Sequence, residues 1–297
     1  MDKNRQGEIF ILAGAFFWGL FPVITILSLN NLPPLMSLAW STLFASIFFA
    51  IIITIKKNWK ELKNKSALKD MVWVTFITSI LFYVLFFSGL SHTNAGNASI
   101  IALTEVFFSF LLFHIWYKNY ISREHIAGAC LMLLGAFIVL YPNFTEFKIG
   151  DILILSAAFV APLGNFFQQR ARTKVSSETV LFVRSALATP FLFAIAYIFH
   201  QSSSMMDLKQ SLFLVLINGF IILGLSKIFW IEGIHRISVT KANALSSVNP
   251  LLTLIFAWIL LNDIPTVWQL FALIPMSLGV ILLGINKKST PEEIQVV

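Results

Sequence analysis

The sequence predicts an all-α membrane protein of ten transmembrane helices, arranged as two inverted five-helix repeats over residues 1–143 and 144–297. Three observations predict it. Apolar residues gather in blocks of about 20, the length that carries a helix across roughly 30 Å of hydrocarbon. Basic residues cluster on alternate connections. The second half of the chain repeats the first at a shift of 144 residues.

The blocks come first. Hydrophobic residues make up 58% of the 297 residues and charged residues 12%, too little charge to cover a soluble domain of this size. The apolar blocks span 9–29, 35–55, 71–90, 96–116, 125–141, 150–169, 179–199, 210–231, 242–261 and 266–285. Backbone polar groups inside hydrocarbon must be satisfied within each segment, which helices do. The strict apolar/polar alternation of a membrane β-barrel is missing. The stretch Met1 to Glu8 runs into a full-length span without a small-residue cleavage site, so a retained first helix is expected. The lone Cys130 lies in the fifth block and has no internal disulfide partner.

The net charge of +7 is distributed as membrane topology demands, and not as nucleic-acid binding would. With a cytoplasmic N-terminus, 17 of the 21 Lys and Arg residues fall on the cytoplasmic side. Only Lys148 and Lys209 fall outside, and Arg184 and Lys227 lie within helices. Both termini are therefore expected in the cytoplasm.

The repeat is visible residue by residue. At a shift of 144, Gly89 meets Gly233, Ala98 meets Ala242, Met132 meets Met276 and Gly135 meets Gly279. Ser41-Thr42-Leu43 meets Ser185-Ala186-Leu187. At one residue less, Gly7-Glu8-Ile9-Phe10-Ile11-Leu12 meets Gly150-Asp151-Ile152-Leu153-Ile154-Leu155. Five helices per repeat is an odd number, so the second copy starts on the opposite side of the membrane. Inverted repeats of this kind are concentrated among secondary transporters.

Glu105 is the one acidic residue expected near the middle of a span. A charge there costs at least ~2.5 kcal/mol and needs a partner, water or a proton, so either substrate coupling or a structural ion pair is expected. Lys227 and Arg184 lie within about one or two turns of the cytoplasmic helix ends. Arg184 is expected to snorkel to the interface, and Lys227 has Glu232 five residues on as a potential partner. Asn165, Gln168 and Gln169 are polar on an apolar helix and suit a wet cavity or interhelical hydrogen bonds. Trp18, Trp40, Tyr83 and Trp230 are candidate pocket walls, although membrane aromatics also face lipid. Gly19 and Pro22 in the first helix, Pro162 and Gly164 in the sixth, and Pro250 in the ninth are expected to interrupt backbone hydrogen bonding or to allow close packing. Matched interruptions of this kind mark transporter sites.

These features together resemble the drug/metabolite transporter superfamily, EamA type, over nearly the whole chain. The run from Gly89-Leu90 through Ala98 to Thr104-Glu105-Val106, and its mate from Gly233-Ile234 through Ala242 to Asn249-Pro250-Leu251, resemble the family's small-residue stretch ending in a Glu-Pro or Pro motif. Asp263 matches an acidic residue that often follows, with Asn119 at its place in the first half. Arg184 matches an arginine often seen in the second helix of a half, with Trp40 as its counterpart. Val106 stands where proline is expected, and Asn249 stands opposite Glu105, so the halves are chemically unequal.

No P-loop, His-Glu-x-x-His, Cys-x-x-Cys or Gly-x-Ser-x-Gly signature occurs, so no cofactor, metal or enzymatic activity is expected. The resemblance implies a secondary-active transporter of small organic metabolites, an exporter of amino acids or related amphipathic compounds, in a bacterial cytoplasmic (inner) membrane. Protons are the expected coupling ion, and association of copies of the chain is compatible with the sequence. Import or exchange of an anionic or nucleotide-like solute is the alternative within the class. A membrane-embedded enzyme or non-transporting subunit is the alternative outside it.

Overall fold

The computed structural model describes residues 2–117, 123–141, 148–237 and 239–283. The division expected at 143/144 and Asn119 lie outside them. Among the described residues the chain is helical and has no strand. We number its helical segments along the chain. α1 (Lys3–Ser28), α2 (Pro34–Lys56) and α3 (Lys65–Leu90) are followed by α4, made of Ala95–Ala102 and Thr104–Tyr117. α5 (Arg123–Leu140), α6 (Ile149–Arg172), α7 (Ser177–Ile198) and α8 (Met205–Ile234) come next. α9 consists of Val239–Ser246 and Asn249–Leu261, and α10 spans Val267–Leu283. Segments α1 to α8 are long and apolar enough to cross a membrane; Asn249–Leu261 and Val267–Leu283 are shorter apolar helices.

Several segments start earlier than their apolar blocks, because caps extend them through polar first turns. Asn64 accepts from the backbone N–H groups of Ser66 and Ala67 to start α3. Ser204 and Asp207 form a capping box that starts α8. Lys57 and His200, one position out of register between the halves, follow the ends of α2 and α7 with left-handed φ angles of 59° and 54°.

The segments pack in pairs: α1 on α8, α3 on α6, α2 on α7, α4 on α9 and α5 on α10. Exchanging the two halves maps this scheme onto itself. Glycines at matching places set the closest approaches. A methyl group on Gly135 would lie 2.3 Å from Met276 Cγ, and one on Gly279 would lie 2.7 Å from Met132 Cγ. A methyl on Gly89 would lie 2.8 Å from Ile154 Cδ1, and one on Gly233 would lie 2.4 Å from Ile11 Cδ1. The residues that matched in sequence are therefore the ones that touch in reciprocal pairs. Small residues let helix backbones approach where hydrocarbon offers no hydrophobic drive between helices.

α3 and α8 each contain a stretch of wider, π-helical turn, at Thr75–Phe82 and Ile217–Leu225. Such turns shift helix register and occur often at functional sites. Phe213, Ile198 and Ile259 are among the apolar side chains that cover the outside of the bundle, as a lipid-facing surface requires.

One end of the bundle is tied by ion pairs. Buried Asp70 of α3 receives Arg170 at 2.7 Å from the last turn of α6 and Lys174 at 2.7 Å from the turn just after it. Glu232 of α8 accepts from Arg236 at 2.6 Å and from Ser177 Oγ at 3.0 Å, with Arg172 at 3.5 Å. Lys56 pairs with Glu178, and Lys241 with Glu8. Glu61, between α2 and α3, accepts from the side chains of Ser176 and Thr179. Burial pushes its carboxyl up, but these hydrogen bonds outweigh burial and hold it below the usual range. The far end is joined by uncharged donors: Gln269 Nε2 donates to Asn94 at 3.0 Å and Asn97 at 2.8 Å, and Gln201 accepts from the Leu35 N–H.

The reciprocal glycines give a test of the packing. Gly135→Ala and Gly279→Ala should each destabilise the folded protein by ~1–3 kcal/mol, the usual cost of overpacking. Gly279→Ala should cost more, because its methyl would also sit 2.8 Å from the Gly128 carbonyl, which cannot rotate away. Thermal unfolding in detergent measures both, and unchanged midpoints would contradict the close approach of α5 and α10.

Candidate functional site

A cavity of about 420 Å³ lies between the helices of both halves, lined by residues of α1, α3, α4 and α6 to α10. Glu105, Lys227, Asn249, Trp18, Tyr83, Asn165, Gln168, Trp230 and Arg184 all line it. So does Pro22, alone among the five residues expected to interrupt helices.

The helix interruptions explain how the lining is built. α1 stops at Gly19 and restarts at Phe21. The break frees the Gly19 carbonyl, which accepts from Thr253 Oγ1 of α9 at 2.8 Å. Trp18 and Pro22 flank this break and face the cavity. α4 restarts at Thr104, which puts Glu105 in the first turn of a new helix. A carboxylate is favoured there by the positive end of the helix dipole. α9 restarts at Asn249, with Pro250 in its first turn. α6 follows the close-packing alternative. It runs unbroken through Pro162 and Gly164. Neighbouring helices can absorb a proline inside a membrane helix. Gly164 serves packing instead, since a methyl there would lie 2.0 Å from Thr78 Oγ1 on the π-helical stretch of α3.

Three charged groups share the cavity. Asn165 Nδ2 donates to Glu105 Oε1 at 2.6 Å. The Lys227 ammonium sits 3.2 Å from the centroid of the Trp18 ring, a cation–π contact. Arg184 is 3% exposed and donates through Nη1 to Gln168 Oε1 at 2.8 Å. Tyr83 lies beside the same guanidinium. Glu105 and Arg184 both act on Lys227 electrostatically. Three buried atoms in this lining have no partner: Arg184 Nε, a donor, Asn249 Oδ1, an acceptor, and the Thr78 hydroxyl, which can do either. The site therefore offers a carboxylate, two cations and free hydrogen-bonding atoms against aromatic walls. That set suits a small solute carrying both charge and apolar surface.

Two sequence expectations fail here. Arg184 does not snorkel. It lies two turns inside α7 on the side facing α6, where Gln168 captures it. Lys227 does not pair with Glu232, because Arg172, Arg236 and Ser177 already hold that carboxylate.

The sequence reading also missed Ser226, Phe82, Phe86, Ser109 and Thr253, which line the cavity. The repeat offset is the signal that finds them. Phe82 and Ser226 are mates, as are Phe86 and Trp230, Ser109 and Thr253, Tyr83 and Lys227, Glu105 and Asn249, Ala102 and Ser246, Trp18 and Ala161, and Pro22 and Asn165. In all eight pairs both members line the cavity. Arg184 departs from this pattern, since its mate Trp40 does not line it.

Known proteins share this sequence and fold. An uncharacterized transporter of Synechocystis is 24% identical over 82% of this chain and 74% of its own length. A probable amino-acid metabolite efflux pump of Salmonella typhimurium is 24% identical over 90% of this chain and 91% of its own. A solved crystal structure superposes with a TM-score of 0.67 at 16% identity, covering 93% of this chain and 95% of that one. The EamA-like transporter family matches residues 5–141 and again residues 148–285. With both halves matched, the chain belongs to the EamA-like transporter family.

Proposed function

We propose that this protein is a secondary-active carrier of ten spans that exports amino acids or closely related amphipathic metabolites from the cytoplasm. The carrying observation is the convergence of eight mate pairs on one cavity that holds Glu105, Lys227 and Arg184. A site at the interface of two repeats is the arrangement through which inverted-repeat carriers alternate access. In this reading residues 1–143 and 144–297 are related by a pseudo-two-fold axis in the membrane plane. The reciprocal pairing of helices and glycines supports that relation.

The residues have distinct roles. Glu105, steadied by Asn165, receives a substrate ammonium or a coupling proton. Arg184, steadied by Gln168, receives a carboxylate through its free Nε. Trp18, Tyr83 and Trp230 cover the apolar part. Lys227 balances Glu105 while resting on Trp18. The basic end of the bundle is cytoplasmic by the positive-inside rule, which puts both termini in the cytoplasm of a bacterial cell. A second reading, exchange of an anionic solute, draws on the excess of two cations over one carboxylate in the cavity.

Two measurements test these assignments. Glu105→Gln keeps shape and hydrogen-bonding capacity but cannot titrate. In proteoliposomes containing a panel of labelled amino acids, it should lose pH-gradient-driven flux by about tenfold or more, a barrier change of ~1.4 kcal/mol, while exchange of labelled for unlabelled substrate persists. A wild-type rate and pH profile would make Glu105 structural. Topology is tested by cysteines introduced at Ser203 and Asn64. The first should react with an impermeant reagent on intact cells, and the second only after permeabilisation. The reverse result would invert the orientation.

A further inference from the structure

We propose that Trp40 takes the place of Arg184 at the substrate when the carrier faces the opposite side of the membrane. The inference rests on the carrier reading above. It starts from the match of Ser41-Thr42-Leu43 to Ser185-Ala186-Leu187, which makes Trp40 the mate of Arg184. The same repeat makes Thr25 the mate of Gln168, the residue that holds Arg184.

The two members of each pair sit in contrasting surroundings. Arg184 and Gln168 line the cavity; Trp40 and Thr25 do not. Trp40 Nε1 is nevertheless buried without an acceptor. An indole N–H normally finds a partner when buried, and each exception calls for an explanation. Ser41 Oγ and Asn218 Oδ1 are also buried and unpaired. Both belong to the seam between α2 and the π-helical stretch of α8, where a methyl on Gly219 would lie 2.7 Å from the Ser41 carbonyl. Its counterpart is the contact of α7 with the π-helical stretch of α3, which carries Arg184 toward the cavity. If the two repeats exchange conformations, the α2–α8 seam becomes the cavity-forming one. The indole N–H of Trp40 then meets water or substrate.

The exchange has a chemical consequence. On the side of Arg184 an anionic group meets a permanent cation; on the side of Trp40 it meets a neutral single donor. Affinity for a carboxylate-bearing solute is thus higher in the arrangement described here, whose lining reaches Gln169 and Ile234 near the basic end. This asymmetry leaves the equilibrium distribution of solute untouched and separates the half-saturation concentrations of the two faces.

Single-cysteine variants made with Cys130→Ser test the exchange without knowledge of the substrate. The probe is a membrane-impermeant charged maleimide, applied to intact cells and to inverted vesicles. Arg184→Cys should react at least about tenfold faster from the cytoplasmic face, and Trp40→Cys from the outer face. Thr25→Cys, a smaller change at a buried position, should follow Trp40→Cys and decides the matter if Trp40→Cys fails to insert. Should Arg184→Cys react from the cytoplasm while neither Trp40→Cys nor Thr25→Cys reacts from outside, the exchange is overturned, and wild-type flux in the same membranes leaves the carrier reading standing. Absence of wild-type flux for the amino-acid panel overturns the carrier reading and the exchange together.

Discussion

A polar group inside hydrocarbon has to be satisfied by another part of the same protein, and this fold is organised around that requirement. Where α1 breaks, Thr253 of α9 caps the freed Gly19 carbonyl. Where α4 begins, Asn94 and Asn97 share the amide of Gln269 from α10. Asp70, fully buried, is held by two cations, one in the last turn of α6 and one just after it. Against this thorough pairing, the few unpaired atoms stand out by position. Arg184 Nε, Asn249 Oδ1 and Thr78 Oγ1 belong to the cavity lining, and Trp40 Nε1, Ser41 Oγ and Asn218 Oδ1 belong to helices that meet at its counterpart seam. The places where the chain leaves its own polar groups unmet are the places where something else can meet them.

The two halves share a framework and differ in chemistry. Reciprocal glycine contacts, paired π-helical stretches and similar helix ends keep the backbones alike. The groups facing the cavity diverge: carboxylate against amide at Glu105 and Asn249, phenol against ammonium at Tyr83 and Lys227, guanidinium against indole at Arg184 and Trp40. The carrier reading draws on both: a shared frame for two arrangements, and unequal contents by which a solute and its charge would tell them apart.

The fold was legible because its two strongest determinants are periodic: apolar length, which sets the segments, and the offset of small residues, which pairs them. Gly135 and Met276 could be matched to Gly279 and Met132 with no knowledge that each glycine packs on the other's methionine. The cavity lining was legible for the same reason, since polar residues stand out against an apolar background. Local backbone behaviour was harder to read. Pro162 looks like Pro22 in sequence, but only α1 breaks, because tertiary packing around Gly164 keeps α6 continuous. Partner choice was harder still. Glu232 lies five residues from Lys227, yet residues 55 to 60 positions away and one at i+4 take it. Asp70 was hidden beside a basic loop, and its partners Arg170 and Lys174 declare themselves only once α3 and α6 are side by side.

The ion pairs at the basic end have an effect reaching beyond the protein. They bind α3 to α6, α6 to α8, α2 to α7 and α1 to α9, whereas the far end is joined by hydrogen bonds of Gln269, of Gln201 and of the Thr93 hydroxyl, which donates to Asp151. Partly exposed charge pairs weaken as mobile ions screen them, over a Debye length of about 8 Å at physiological ionic strength. Neutral hydrogen bonds hardly respond. Anionic headgroups of the leaflet next to this end compete for the same lysines and arginines. The balance between the two ends of the bundle is therefore set in part by the salt and the lipids around it, which couples the resting conformation to the composition of the membrane.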